Sequence, residues 1–141
     1  MAMTIHVDVV SADREIYSGK SDMLIAPAEM GEVGVMPGHS PFITRLLPGE
    51  VRIQHEGQAE EVLFVSGGYL EVQPSVVTVL ADTAERAPDI DAAEAEAAQR
   101  RAEQALQEQT SDMELARAKA ELAEATARLR VYRRHRERAG A

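Results

Sequence analysis

The 141-residue chain contains no cysteine. Disulfide frameworks and thiolate metal sites are thereby excluded, and a reducing compartment is the simpler expectation. Long apolar runs are also missing. The first thirty residues include Asp8, Asp13, Arg14, Glu15, Lys20 and Asp22, which leaves no apolar region for a signal peptide and nothing approaching a membrane span. A soluble, cytosolic chain is expected. Basic charge is scarce: the formal net charge is -9, whereas a nucleic-acid binder needs a basic face to neutralise phosphates.

Signatures of chemistry are scarce too. There is no Gly-x-Ser-x-Gly nucleophile elbow. No two histidines stand three or four residues apart, the spacing by which one helix face holds zinc. His6 and His55 lie in alternating strand patterns and His135 among arginines. Gly31-Glu32-Val33-Gly34 and Gly67-Gly68 match neither phosphate-loop pattern. Both read as turns, and Glu29 and Glu32 would repel an anion. No catalytic residue and no metal are expected.

What is present divides into two halves, within a length that allows one small domain plus an appendage. Through residue 86 there are 13 acidic and 5 basic groups, and the chain reads as short strands. Ile5, Val7 and Val9 alternate with His6 and Asp8, Val51 and Ile53 with Arg52 and Gln54, and Val77, Val79 and Ala81 with Thr78 and Leu80. Ser18-Gly19, Pro37-Gly38, Pro48-Gly49, Gly67-Gly68 and Gln73-Pro74 punctuate them as turns. The expectation for residues 1–86 is an antiparallel β-sandwich of about eight to ten strands. In "GVMPGHSPF", residues 34–42, Pro37-Gly38 suits the centre of a type II turn, and Pro41 pushes Ser40 toward extended backbone.

After Pro88 there is no glycine or proline until Gly140, and Ala, Glu, Gln and Arg dominate. Residues 87–141 are expected to form an antiparallel two-helix hairpin, with helices at about 90–108 and 112–138. Asp91 with Glu94 and Ser111 with Glu114 fit two capping boxes, and Gln109–Asp112 is short enough to force the reversal. Helix one carries an alanine stripe at 95, 98, 102 and 105; helix two carries one at 116, 120, 123 and 127, beside Leu115, Leu122, Leu129 and Tyr132. Either these stripes pack on helix one and on the sandwich, or the leucine stripe can leave and dock on another chain. A hairpin held by small residues is held lightly. The six arginines 128, 130, 133, 134, 136 and 138 exceed what a helix C-terminus needs, which suggests a partner rich in carboxylates or phosphates. In an acidic chain an acidic protein is favoured over nucleic acid.

The segments "MTIHVDVVSADREIYSG", "GEVGVMPGHSPFITRLLPGEVRI", "LFVSGGYLEVQPSVVTVLADTAER", "DIDAAEAEAAQRRAEQA" and "AELAEATARLRV" together resemble the epsilon subunit family of bacterial F-type ATP synthases, nearly end to end. The resemblance implies a non-catalytic subunit of the central stalk. Its sandwich would clasp the gamma subunit and sit on the c ring, with Glu29, Glu32 and the turn around His39 as contacts at one end. Its hairpin would permit turnover when folded on the sandwich and block ATP hydrolysis when extended toward the α/β head. In that state Arg128, Arg130, Arg133, Arg134, Arg136 and Arg138 would face acidic β-subunit segments. The implied location is the cytoplasmic face of the bacterial inner membrane, without direct insertion. Some members bind ATP through an Ile/Leu-Asp-x-x-Arg-Ala motif; here Asp91 is kept but Glu94 replaces the arginine. A carboxylate there repels nucleotide, so ATP binding is expected to be weak or absent and no cofactor is implied. The competing reading is a free-standing β-sandwich that binds a ligand or peptide, with a hairpin for dimerisation.

Overall fold

The computed structural model describes residues 3–108 and 111–140. Ten strands come first: β1 (Ile5–Val10), β2 (Glu15–Ser21), β3 (Met23–Ala28), β4 (Gly31–Val35), β5 (Phe42–Leu46), β6 (Gly49–Gln54), β7 (Glu61–Val65), β8 (Gly68–Val72), β9 (Val76–Ala81) and β10 (Ala84–Arg86). A single 3-10 turn at Ala87–Asp89 leads into α1 (Ala92–Gln107) and α2 (Asp112–Gly140). The strands form one sheet in the order β10-β7-β6-β3-β5-β8-β9-β1-β2, with β4 added beside β3. The sheet rolls until its ends approach. Arg86 of β10 donates to the Ile16 carbonyl of β2 at 3.2 Å, and its guanidinium lies 5.8 Å from the centre of the Tyr17 ring. A rolled sheet encloses what alternation points inward. Ile5, Val7, Val9, Val51, Ile53, Val77 and Val79 are all buried there, together with Leu24, Leu63, Leu70 and Val72.

One pairing departs from the expected antiparallel pattern: β1 runs parallel to β9. Antiparallel neighbours can be joined by a tight turn, but β1 and β9 are separated by most of the domain, and a connection that long imposes no direction. The Gly67-Gly68 turn has a steric cause. Gly68 has φ +131°, and a Cβ there would lie 2.0 Å from the Leu80 carbonyl oxygen. Only glycine lets β8 and β9 run so close.

The helices begin where caps permit. Asp91 accepts from the Glu94 amide at 3.1 Å and Ser111 from the Glu114 amide at 3.2 Å. The reversal itself includes Gln109 and Thr110, which lie outside the described residues, as do Met1, Ala2 and Ala141. Ile90, expected inside helix one, precedes it and is buried beside Ala87.

The hairpin rests on the sandwich through α2, which packs on β6, β7 and the 3-10 turn; α1 packs chiefly on α2. Ala127, Val131 and Tyr132 close over Val62, Phe64, Ala87 and Ile90. On a helix of 3.6 residues per turn, 116, 120, 123, 127 and 131 share one face, and 115, 118, 122, 125 and 129 share the opposite one. The second face meets α1: Ala118, Ala125 and Leu129 are buried, as are Ala95 and Ala102 of α1. The first face meets the sandwich only in its C-terminal half. Ala116, Ala120 and Ala123 are exposed, contrary to the expectation of a packed alanine stripe, because this part of α2 overhangs the sheet.

Candidate functional site

Among the described residues no arrangement for covalent chemistry emerges. His6 Nε2, Asp8 Oδ1 and Ser18 Oγ meet on the outer surface of β1 and β2, at 2.9, 3.0 and 2.7 Å. One ring nitrogen faces both partners, and the serine hydroxyl donates to Asp8. A nucleophile needs the opposite: its proton directed to a base that a third group orients from the other ring nitrogen. The Ser18 hydrogen bond, helped by His6 and opposed by burial, holds the Asp8 carboxyl below its ordinary value. Among the described residues no group of three or more His, Asp or Glu can hold a metal ion.

The "PGHSP" segment is a turn, closed by the His39 amide on the Met36 carbonyl at 3.2 Å, with Gly38 at φ +83°. The values match the expected type II geometry. The His39 ring donates from Nδ1 to the Ser40 carbonyl at 2.8 Å and tilts against Phe42 at 5.1 Å between centroids. Gly38 bonds the Pro74 carbonyl at 2.9 Å, which ties this turn to the β8–β9 turn. Glu29 and Glu32 flank the β3–β4 tip, where Met30 is almost fully exposed. That tip is tied to the β5 end instead, by the Glu29 amide on the Arg45 carbonyl at 2.9 Å. Strand β4, with Glu32 as its second residue, therefore runs about 15 Å from the glutamate tip toward the turn of His39. The structure corrects the expectation that all three share one end: Glu29 and Glu32 go together, and His39 lies at the far end of the strand.

The arginines of α2 fall into two groups. Arg128, 18% exposed, donates from Nε and Nη2 to both carboxylate oxygens of Glu85 on β10 and from Nη1 to Glu94 on α1. The Glu85 hydrogen bond raises its affinity for its proton above the usual, already high, arginine level. Arg138 Nη1 lies 3.3 Å from Glu50 Oε1 and 3.9 Å from Glu60. Glu50 is 8% exposed in its side chain, is shared with Arg52 at 3.3 Å, and has a second oxygen that is buried without a hydrogen-bond partner among the described residues. Arg133 reaches Glu96 at 3.9 Å, and Arg136 packs on its own helix against Tyr132. Arg130 and Arg134 point to solvent, Arg130 at the rim of a groove lined by Leu47, Pro48 and Leu122.

Asp91 and Glu94 are both engaged within the protein, Asp91 as the α1 cap and Glu94 with Arg128. Glu94, Glu121 and Glu124 line the cavity beside Arg101 and Arg128. Burial pushes the Glu124 carboxyl above its ordinary value, partly offset by Arg128.

Two features were not foreseen. Glu50 and Glu85 hold the arginines; the available signal was a glutamate between Gly49 and Val51, in a strand whose other face is core. The second is an apolar patch on the outer face of β5, β8 and β9. Tyr69 pairs with Leu80 and with Arg45, and Ile43 stands diagonally beside them. Ile43, Tyr69 and Leu80 are 65%, 50% and 46% exposed.

Comparison with known proteins covers the whole arrangement. Residues 4–87 match the model of the beta-sandwich domain of the ATP synthase delta/epsilon chain, and residues 89–133 match its long alpha-helix domain. The ATP synthase epsilon chain of Nitrosococcus oceani is 63% identical, covering 99% of this chain and 100% of that protein. That of Thioalkalivibrio sulfidiphilus is 59% identical, over 96% and 99%. A chain in the cryo-EM structure of Euglena gracilis mitochondrial ATP synthase (OSCP/F1/c-ring) superposes with a TM-score of 0.78 at 21% identity, covering 88% of this chain and 78% of that one. The fold is thus shared with that assembly, and the two sequence matches run from the first strand into the last helix: the chain belongs to the ATP synthase delta/epsilon chain family.

Proposed function

We propose that the chain serves as the epsilon chain of an F-type ATP synthase, a non-catalytic part of the central stalk that couples the c ring to the catalytic head through gamma. Its partners are ATP synthase subunits. In this reading gamma takes the outer sheet face at Ile43, Tyr69 and Leu80, because exposed apolar side chains rimmed by Arg45 and Glu71 suit a protein contact. The β3–β4 tip with Glu29 and Glu32 faces the c ring, and His39 is a contact at the far end. Among the described residues no helix is long and apolar enough to cross a membrane, and in this reading the chain is held at the cytoplasmic face of the bacterial inner membrane through its partners.

The hairpin is the regulatory part, folded here and extended toward the α/β head when it blocks hydrolysis. The observation that carries this reading is that the arginine-bearing half of α2 is also the half that docks on the sandwich. One surface cannot serve both places at once. Deleting residues 89–141 is expected to raise ATP hydrolysis of the reconstituted complex with assembly intact; unchanged hydrolysis would remove the inhibitory role. A stable complex with gamma is the matching test of the coupling role, and its absence would favour a free-standing binding module, for which no feature of the fold argues.

A further inference from the structure

We infer that the sandwich and α1 act as an internal competitor for the arginine helix: Glu85 with Glu94 and Glu50 with Glu60 occupy Arg128 and Arg138, so that releasing the hairpin is an exchange of carboxylate partners. The inference rests on the regulatory reading above for the identity of the outside competitor, an acidic protein surface, but not for the clasp itself.

The apolar part of the docked interface is small. Of the three α2 side chains in it, Ala127 buries little area, Tyr132 is only partly buried and Val131 alone is a fully buried branched side chain. The ion pairs stand at both ends of that patch. Ten residues of helix, about 15 Å, separate Arg128 from Arg138. At the first end one guanidinium ties β10, α1 and α2 together, with two nitrogens on Glu85 and a third on Glu94. Bidentate, partly buried pairs of this kind are the strong members of their class. At the second end Glu50 is nearly buried, and Arg138 is one of the two cations that face it.

The consequence is a particular selectivity. An apolar or neutral surface that competes for α2 leaves Arg128, Arg138, Glu85 and Glu50 to be solvated separately. A surface bearing carboxylates restores the arginine contacts at the moment they are lost. Arg130 and Arg134, exposed in the docked state, offer the first encounter with such a surface. Release then needs no small ligand, and it is eased by salt, which screens the clasp while leaving the apolar patch intact.

The test uses the full chain, whose lack of cysteine permits one labelled pair, Gln58→Cys on the β6–β7 turn and Ala139→Cys at the end of α2. Pulsed electron-spin measurements give the fraction of molecules with the labels far apart. The far fraction is expected to rise at least about twofold between roughly 0.05 and 0.5 M salt. The double variant Glu85→Gln/Glu94→Gln is expected to raise it at low salt and to flatten the salt response. Arg138→Gln is expected to do the same from the other end, without altering the nearly buried Glu50 itself. Arg117→Gln, whose partner Glu121 is on its own helix, leaves it unchanged. Poly-glutamate at low salt raises the fraction in the unmodified chain, and poly-lysine does not. A far fraction indifferent to salt and to both variants would overturn the clasp. In a second assay the double variant replaces the parent chain in the reconstituted synthase. If the labels separate but hydrolysis is not inhibited more strongly, the regulatory reading fails and the clasp stands.

Discussion

Glu94 of α1 accepts a hydrogen bond from Arg128 of α2, and the same guanidinium holds Glu85 of β10. Three elements from the two halves of the chain therefore converge on one cation. The Glu94 amide bonds the Asp91 cap while its carboxylate crosses to the second helix. The capping box anticipated from spacing is thus half realised, because a stronger partner claims the glutamate.

That occupancy bears on nucleotide. With Glu94, Glu121 and Glu124 lining the cavity between the helices, a polyphosphate would meet three carboxylates. Titration of the full chain with Mg-ATP by calorimetry is expected to show no saturable heat in the micromolar range. Stoichiometric micromolar binding would refute this.

Phe64 is 2% exposed and stands where β7 meets the hairpin. Phe64→Ala should lower the unfolding free energy by about 3–5 kcal/mol, as for other large buried side chains. Chemical denaturation followed by circular dichroism measures this; a loss below about 1 kcal/mol would mean that the site collapses around the truncation.

Gly68→Ala is expected to be among the most damaging small substitutions, since the new methyl would lie 2.0 Å from the Leu80 carbonyl oxygen at a φ of +131°. A melting temperature unchanged from the parent would show that β8 and β9 can part without cost. Gly38→Ala, with open space around its Cβ, should cost less.

Asp8 gives a pH signature. Its folded carboxyl is held below the ordinary value of 3.8, chiefly by the Ser18 hydroxyl. The stability this contributes is fully present above that ordinary value and disappears as pH falls through the lower folded one. Ser18→Ala should move the Asp8 titration, followed by NMR, back up toward 3.8. The stability difference between parent and variant should be present at pH 6 and shrink in acid; a constant difference would exclude the linkage.

Asp91→Ala should cost about 0.5–2 kcal/mol through loss of the α1 cap. Because α1 packs chiefly on α2, amide exchange should quicken first in α1 and leave the sandwich amides as they were.

Much of the fold was legible because its signals are local. Alternation in Ile5–Val9 and Val77–Ala81 gives strands with an inside and an outside, Pro37-Gly38 specifies its own turn, and Asp91 marks a helix start. The parallel pairing of β1 with β9 was not legible, since no local residue encodes a neighbour seventy positions away. The alanine line of α2 indicates the docked face but not where docking stops, because where a helix runs past the sheet depends on the length of the sheet and not on the helix. The arginine excess of α2 is visible in the sequence; Glu50 and Glu85 as its counterparts are not, because each is one of 24 acidic residues until folding selects it. The resemblance groups His39 with Glu29, ten positions apart, at one end of the sandwich, and one extended strand is enough to part them.

The packing of α1 almost wholly on α2 has a mechanical meaning. Little of α1 rests on the strands, so in the regulatory reading lifting α2 breaks few contacts between α1 and the sandwich. What links the two halves is the short stretch from Ala87 to Asp91, with Pro88 as its second residue and the α1 cap at its end. A hairpin that leaves the sandwich therefore stays tethered to it through the five residues 87–91.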